Sequence, residues 1–132
     1  MRKVLLILVT AIGFGISTNA QVSNSRNNTD QIIGVWKYAG EYSGLEVKCI
    51  ITKSHYVTIY LRNNVIIASF GGTCSFDGET FIETIQFGTQ GYEGKIGQIG
   101  TFKIKFEGKR INKSGVLYPS NARINEFWER VE

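Results

Sequence analysis

Four charged residues stand at positions where the surrounding pattern predicts inward-facing apolar side chains. Glu83 lies in an alternating apolar segment and falls on its apolar face. The same alternation places Lys113, Glu126 and Arg130 inward on later segments. A charged group in an apolar interior costs several kcal/mol unless it is paired or hydrogen-bonded. We therefore predict an internal polar cluster, an arrangement that can orient the polar head of an otherwise apolar ligand.

Two alternatives to a ligand site stay open for this cluster. The four charges could form a closed internal salt-bridge network, or a one-residue slip of a strand could turn two of them to solvent. The strand that contains Tyr56, Thr58 and Tyr60 is the hardest to orient, because its alternate residues are also apolar.

His55 is the only histidine, and it stands at the start of a predicted strand. A rim or capping position is the simpler interpretation, and a ligand contact is the alternative. Aromatic residues are further candidates for ligand contacts. The opening of a ligand pocket could be lined by Tyr38, Tyr42, Tyr56, Tyr60 and Tyr92, which could equally be ordinary strand residues. The predicted ligand contacts are Glu83, His55, Arg130, Lys113, Glu126, Tyr38, Phe81, Phe102 and Phe106.

The motifs of the common enzyme classes are missing from the sequence. It has no HExxH, CxxC, GxSxG or phosphate-loop pattern, so we expect no metal, no cofactor and no enzymatic activity. An acid–base pair of Glu83 and His55 is the remaining enzymatic alternative. The formal net charge of +4 includes Arg2 and Lys3, and without them the chain is too weakly basic to indicate a nucleic-acid partner.

The first 20 residues have the pattern of an export signal. Arg2 and Lys3 precede a mostly apolar run over residues 4–16, and small residues lead to Ala20, after which we place the cleavage. The run is shorter than the roughly 20 residues that span a bilayer, so we expect no membrane anchor after cleavage. Residues 21–30 are predicted to be a flexible polar tether and residues 31–132 one folded domain. The protein is therefore expected to be secreted or periplasmic.

Eight apolar or β-branched segments follow, separated by turn residues. The predicted strands cover residues 34–42, 46–52, 55–61, 65–76, 79–87, 99–107, 110–117 and 123–131. Asn63-Asn64, Asp77-Gly78 and Gly108-Lys109 suit tight hairpin turns, and Gly71-Gly72 predicts a kink. The pattern indicates an all-β, antiparallel up-and-down meander that closes into an eight-stranded barrel, which removes exposed edges. A two-sheet sandwich is the alternative.

Alternation within the strands assigns their inner faces. Phe102, Ile104 and Phe106 are predicted to face the core, while their charged neighbours face solvent. The same rule places Phe87 inside, on the same strand as Glu83.

Two cysteines lie in an exported chain, where a disulfide is chemically allowed. Cys49 and Cys74 belong to strands that a third strand separates, and a bridge needs Cα atoms within about 7 Å. Two buried free thiols are the alternative to a disulfide.

Short motifs give the chain a family resemblance. Gly34-Val35-Trp36 matches the Gly-x-Trp pattern of the first lipocalin strand, and Trp128-Glu129-Arg130 provides an arginine for that indole. Further likeness lies in Ile51–Tyr56, Phe70–Glu83, Phe102–Gly108 and Glu126–Glu132. Together these segments resemble a family of small bacterial lipocalin-like secreted domains whose biochemical role is unassigned. The resemblance implies a calycin-type barrel that Gly34, Trp36 and Arg130 close at one end, and it implies no particular ligand.

The expected function is that of a non-enzymatic, exported binding protein. It would hold a small apolar or amphipathic molecule in the barrel, with the predicted polar cluster as its polar contact. The alternative is a protein-interaction or inhibitor module that acts through the glycine-rich rim loop over Gly88–Gly97, which contains Tyr92.

Overall fold

The computed structural model describes residues 28–131. The predicted signal peptide at 1–20 and residues 21–27 of the predicted tether lie outside the described residues. The last three residues of that tether, Asn28–Asp30, form a single turn of 3-10 helix. Ile32, just beyond this turn, is buried in the core. The end of the predicted tether is thus a short helical turn that leads to the buried Ile32.

The domain is an antiparallel β-barrel of eight strands in sequence order. Each strand pairs with the next, and the last pairs with the first, so the sheet is closed. This confirms the predicted up-and-down barrel and excludes the sandwich. A short 3-10 helix, Glu93–Lys95, lies in the loop between the fifth and sixth strands. The strands are β1 Gly34–Tyr38, β2 Glu46–Ile51, β3 His55–Arg62, β4 Val65–Phe76, β5 Thr80–Gly88, β6 Ile99–Glu107, β7 Arg110–Tyr118 and β8 Ala122–Arg130.

Turn residues account for where the strands end. Asn63 and Asn64 both have positive φ, 50° and 62°, as a tight two-residue hairpin between β3 and β4 requires. The predicted end of the first strand at residue 42 is wrong, because β1 ends at Tyr38. The chain reverses further on, at Ser43 and Gly44, which both have positive φ.

The predicted kink at Gly71-Gly72 is a shift in register between β4 and β5. Gly72 faces Ile85 and Gly71 faces Phe87, so Gln86 is an extra residue on β5. This bulge breaks the alternation, and the prediction that Phe87 faces the core is wrong: its side chain lies outside and is 41% exposed. There it covers Gly71, at which a Cβ would lie 3.1 Å from the ring.

The inner faces of the other strands follow the alternation. Phe102 and Ile104 are buried and Phe106 packs against them, as predicted for β6. On β3, Tyr56, Thr58 and Tyr60 are the buried set, which decides the orientation that the sequence left open. Both cysteines are free thiols in this structure, but only Cys49 is buried and Cys74 is partly exposed, so the alternative of two buried thiols holds only in part.

One end of the barrel, which we call the floor, is closed by Trp36. The indole is 1% exposed and donates a hydrogen bond from Nε1 to the carbonyl oxygen of Ile32 at 2.8 Å. The guanidinium of Arg130 lies 4.3 Å from the centre of the indole ring. It also donates hydrogen bonds to the carbonyl oxygens of Ile33, at 2.8 Å, and Gln31. The last strand thus holds both the first strand and the segment before it.

We expect Trp36→Ala to lower the free energy of unfolding by about 3–5 kcal/mol, because it removes the largest fully buried side chain at the floor. Urea unfolding followed by circular dichroism measures the change. Phe127→Ala, on the outer face of β8, is the control and is expected to lower it by less than about 1 kcal/mol. Equal losses in the two variants would contradict a closure that depends on Trp36.

Candidate functional site

A cavity of about 210 Å³ lies in the half of the barrel opposite the floor. Its lining includes Tyr42 and Lys95, which belong to loops at that end, so the cavity is reached from there. We call this end the mouth. Aliphatic side chains such as Ile85 and Leu117 form part of the wall. The aromatic lining consists of Tyr38, Tyr42, Tyr60, Phe70, Phe102 and Trp128.

The inner part of the cavity contains a buried ion pair. Lys113 of β7 donates a hydrogen bond from Nζ to Oε2 of Glu83 on β5, at 3.0 Å. The side chain of Glu83 is 4% exposed and that of Lys113 is 14% exposed. The strand between them, β6, places Phe102 under the ammonium group, 4.1 Å from Nζ to the ring centre. The lysine is therefore held by a carboxylate and by an aromatic face.

Gly100 of β6 makes room for this arrangement. A Cβ at this position would lie 2.3 Å from the ring of Phe102 and 2.9 Å from Cγ of Glu83. The residue pairs directly with Glu83 across the sheet. The absence of a side chain at Gly100 thus lets Glu83 and Phe102 share one region of the barrel interior.

A second carboxyl group lies beside the ion pair. Glu126 of β8 is the cross-strand partner of Lys113, and its Oε2 accepts a hydrogen bond from Nε1 of Trp128 at 3.0 Å. Burial by itself lowers the pKa of Lys113, but the negative charges of Glu83 and Glu126 outweigh burial and raise it. The lysine is therefore held in its charged form.

The loop between β5 and β6 covers part of the mouth. The ring of Tyr92 stacks on that of Tyr60, with centres 4.7 Å apart and planes at 20°. The hydroxyl groups of Tyr92 and Tyr42 are hydrogen-bonded at 2.9 Å. Nζ of Lys95 lies 5.2 Å from the centre of the Tyr92 ring and 5.4 Å from that of Phe70. Burial and the neighbouring Tyr92 raise the pKa of Tyr60, so its hydroxyl stays protonated.

The structure brings five of the nine predicted ligand contacts to the cavity. Three are charged and two are aromatic. They are Glu83, Lys113, Glu126, Tyr38 and Phe102.

The other four predicted contacts do not line it. His55 is exposed, because it precedes inward-facing Tyr56 and so points outward, where its Nδ1 meets the Ser54 hydroxyl at 2.8 Å. Arg130 faces the floor and stacks on Trp36. Phe106 packs on Phe76 near that end, with ring centres 6.1 Å apart. Phe81 is buried in the core, below the ion pair.

These positions separate groups that the sequence placed together. Arg130 is not part of the polar cluster, which consists of Glu83, Lys113 and Glu126. Glu83 and His55 lie on opposite faces of the barrel wall, so they do not form the acid–base pair of the enzymatic alternative.

Sequence reasoning missed two polar groups of the cavity. Thr58 lines the wall because the orientation of β3 turns it inward, and the alternation with Tyr56 and Tyr60 is the signal that was available. Lys95 reaches the mouth from an irregular loop, for which no periodic pattern predicts a side-chain direction.

The chain matches no known protein-family model, and no match is found among curated proteins. Within residues 28–131, no group of three or more His, Cys, Asp or Glu side chains is placed to hold a metal ion. The same residues contain no helix with the length and apolar character needed to cross a membrane.

We expect Lys113→Met to lower the free energy of unfolding by about 3–5 kcal/mol, because it leaves the buried carboxylate of Glu83 without a partner. The double variant Glu83→Leu/Lys113→Met removes both charges and is expected to be more stable than the single variant. Urea unfolding of the single and double variants measures both effects.

Lys103→Met on β6 is the control for Lys113→Met. Lys103 pairs with Glu79 at the surface, at 3.2 Å, and such an exposed pair contributes less than about 1 kcal/mol. A double variant that is less stable than Lys113→Met would contradict a buried, mutually dependent pair.

Burial raises the pKa of the Cys49 thiol from 9.0 to about 12. Between these pH values the thiol is ionised in the unfolded chain and protonated in the folded chain. Ionisation therefore favours the unfolded chain, and the free energy of unfolding falls as the pH rises above about 9. From pH 8 to pH 10, the free energy of unfolding should fall in both proteins, and we expect the fall to be about 1 kcal/mol smaller in Cys49→Ala than in the wild type. Urea unfolding at both pH values, under reducing conditions, measures the difference.

Val47→Ala is the matched control for Cys49→Ala, since Val47 is a buried residue on the same face of β2 and does not titrate. It should lose as much stability between the two pH values as the wild type does. A Cys49→Ala variant with the pH dependence of the wild type would show that this thiol is not protected from ionisation.

Proposed function

We propose that the protein is a non-enzymatic binding protein that holds a small apolar or amphipathic molecule in the mouth cavity. The observation that carries the proposal is the pairing of aromatic walls with charged groups inside a cavity that opens at one end. Binding sites for small molecules commonly combine a mostly apolar wall with a few convergent polar groups. Here the wall would take the ligand body, and the inner polar groups would fix its orientation.

The size of the cavity limits the ligand. Sites for drug-sized molecules have volumes of about 300–1,000 Å³, and this cavity has about 210 Å³. The inner end is bounded by Phe102 and by the ion pair above it. The proposed ligand is therefore smaller than a typical drug molecule, and a single ring with a short polar chain is of suitable size.

Membership of the lipocalin-like family and export are part of the same proposal. The closed eight-stranded barrel, with Trp36 at its floor and Arg130 across the indole, supports a lipocalin-like identity. The apolar leader pattern at 1–20 supports a secreted or periplasmic location. Both fit a carrier or sensor that meets its ligand outside the cytoplasm.

A protein-interaction role through the rim loop is less well supported. The aromatic residue of that loop, Tyr92, packs into the mouth on Tyr60 and so is not presented to a partner. Ile96 is the exposed apolar residue of the loop, 50% exposed, and is by itself a small surface.

We expect indole, a small amphipathic aromatic probe, to bind the wild type and to bind Leu117→Phe at least tenfold more weakly, because the added ring occupies the cavity. Isothermal titration calorimetry measures both affinities. Val116→Phe is the matched control, since Val116 is the preceding residue on β7 and faces outward. Equal indole affinity in the two variants, or no indole bound by the wild type, would count against the cavity as the binding site.

A further inference from the structure

The inner end of the cavity has one carboxyl group more than it has cations. Glu83 and Glu126 face a single ammonium group, that of Lys113. Lys113 is already paired with Glu83 at 3.0 Å. No basic nitrogen of residues 28–131 forms a salt bridge within 4.0 Å of the Glu126 carboxylate. Among the described residues that line the cavity, Glu126 is therefore the carboxylate that forms no salt bridge, and it shares the single ammonium group of Lys113 with Glu83.

Lys95 does not supply that counter-charge. It lies at the mouth, where its ammonium group is held over the rings of Tyr92 and Phe70. It forms no salt bridge with Glu126. The charge of Lys95 therefore marks the entrance of the cavity, while the carboxyl excess lies further in.

The surroundings of Glu126 suit a cation. Its Oε2 accepts one hydrogen bond, from Trp128, and its side chain lines the open cavity, which leaves acceptor capacity there. The rings of Trp128 and Tyr38 line the cavity beside it, with centres 5.4 Å apart. Aromatic faces attract cations by about 0.5–2 kcal/mol, and a carboxylate accepts charge-assisted hydrogen bonds from them.

We propose that the ligand presents a protonated amine to Glu126. This inference rests on the proposed binding function and specifies the ligand's head group. The ammonium group donates a hydrogen bond to the free oxygen of Glu126, and the apolar body of the ligand packs between the aromatic walls towards Tyr60. A carboxylate ligand would instead meet two like charges, because the ammonium of Lys113 is already occupied by Glu83.

Three probes with the same phenyl ring test this: 2-phenylethylamine, 2-phenylethanol and 3-phenylpropionate, each titrated calorimetrically at pH 7. We expect the amine to bind at least tenfold more tightly than the alcohol, and the acid to bind most weakly. Glu126→Gln keeps an acceptor for Trp128 but removes the charge. It should weaken the amine at least tenfold and change the alcohol by less than about threefold.

Glu129→Gln is the matched control, because Glu129 lies on the outer face of the same strand and pairs with Arg110. It should leave all three affinities unchanged. If the alcohol or the acid binds the wild type as tightly as the amine, the amine inference is wrong and the binding function stands. If none of the probes binds the wild type, the binding function fails together with the inference. Should Glu126→Gln not fold, the wild-type order of the three probes still decides.

Discussion

The contact of Arg130 with Trp36 joins the last strand to the first and makes the two ends of the barrel different. Pairing of β1 with β8 closes the sheet, and the guanidinium on the indole fixes the side chains at the floor. The same guanidinium holds the backbone before β1 through the carbonyl oxygen of Ile33. The floor is filled by a buried indole, and the cavity lies at the mouth. The position of the cavity thus follows from how the chain ends meet.

A buried ion pair in this cavity is not explained by stability. Removing two charges from water costs several kcal/mol for each, and apolar residues of similar volume often give equal or greater stability. The barrel nevertheless places Glu83 and Lys113 inside, and it leaves position 100 as glycine so that Glu83 and Phe102 both fit. Several residues on three strands are thereby committed to one polar group. In the proposed binding function, this arrangement would orient the polar head group of the ligand.

Alternation in the sequence predicted the barrel and the inner polar cluster, because both depend only on which face a residue occupies. Glu83, Lys113 and Glu126 were found in this way, and so was Phe102, whereas Tyr38 was named only as one of several tyrosines that could line a mouth. Position along the barrel axis does not follow from alternation, so inward-facing Arg130 and Phe106 were assigned to the cavity although they lie towards the floor. Phe87 was misplaced because one extra residue at the bulge reverses the faces beyond it. The direction of Lys95 depends on an irregular loop and on the rings that it covers.

The way the two ends are held determines the route by which a molecule can enter. Entry from the floor would require breaking the hydrogen bonds of Trp36 and Arg130 to the backbone and removing a fully buried indole. At the mouth, the loop between β5 and β6 covers part of the opening through side-chain contacts: Tyr92 stacks on Tyr60 and shares one hydrogen bond with Tyr42. Parting these contacts leaves the strand pairing of the barrel intact. For the ligand of the proposed function, this energetic difference favours entry at the mouth, where the ligand would meet Lys95 and the tyrosine hydroxyls first, the aromatic walls next and the carboxyl groups last.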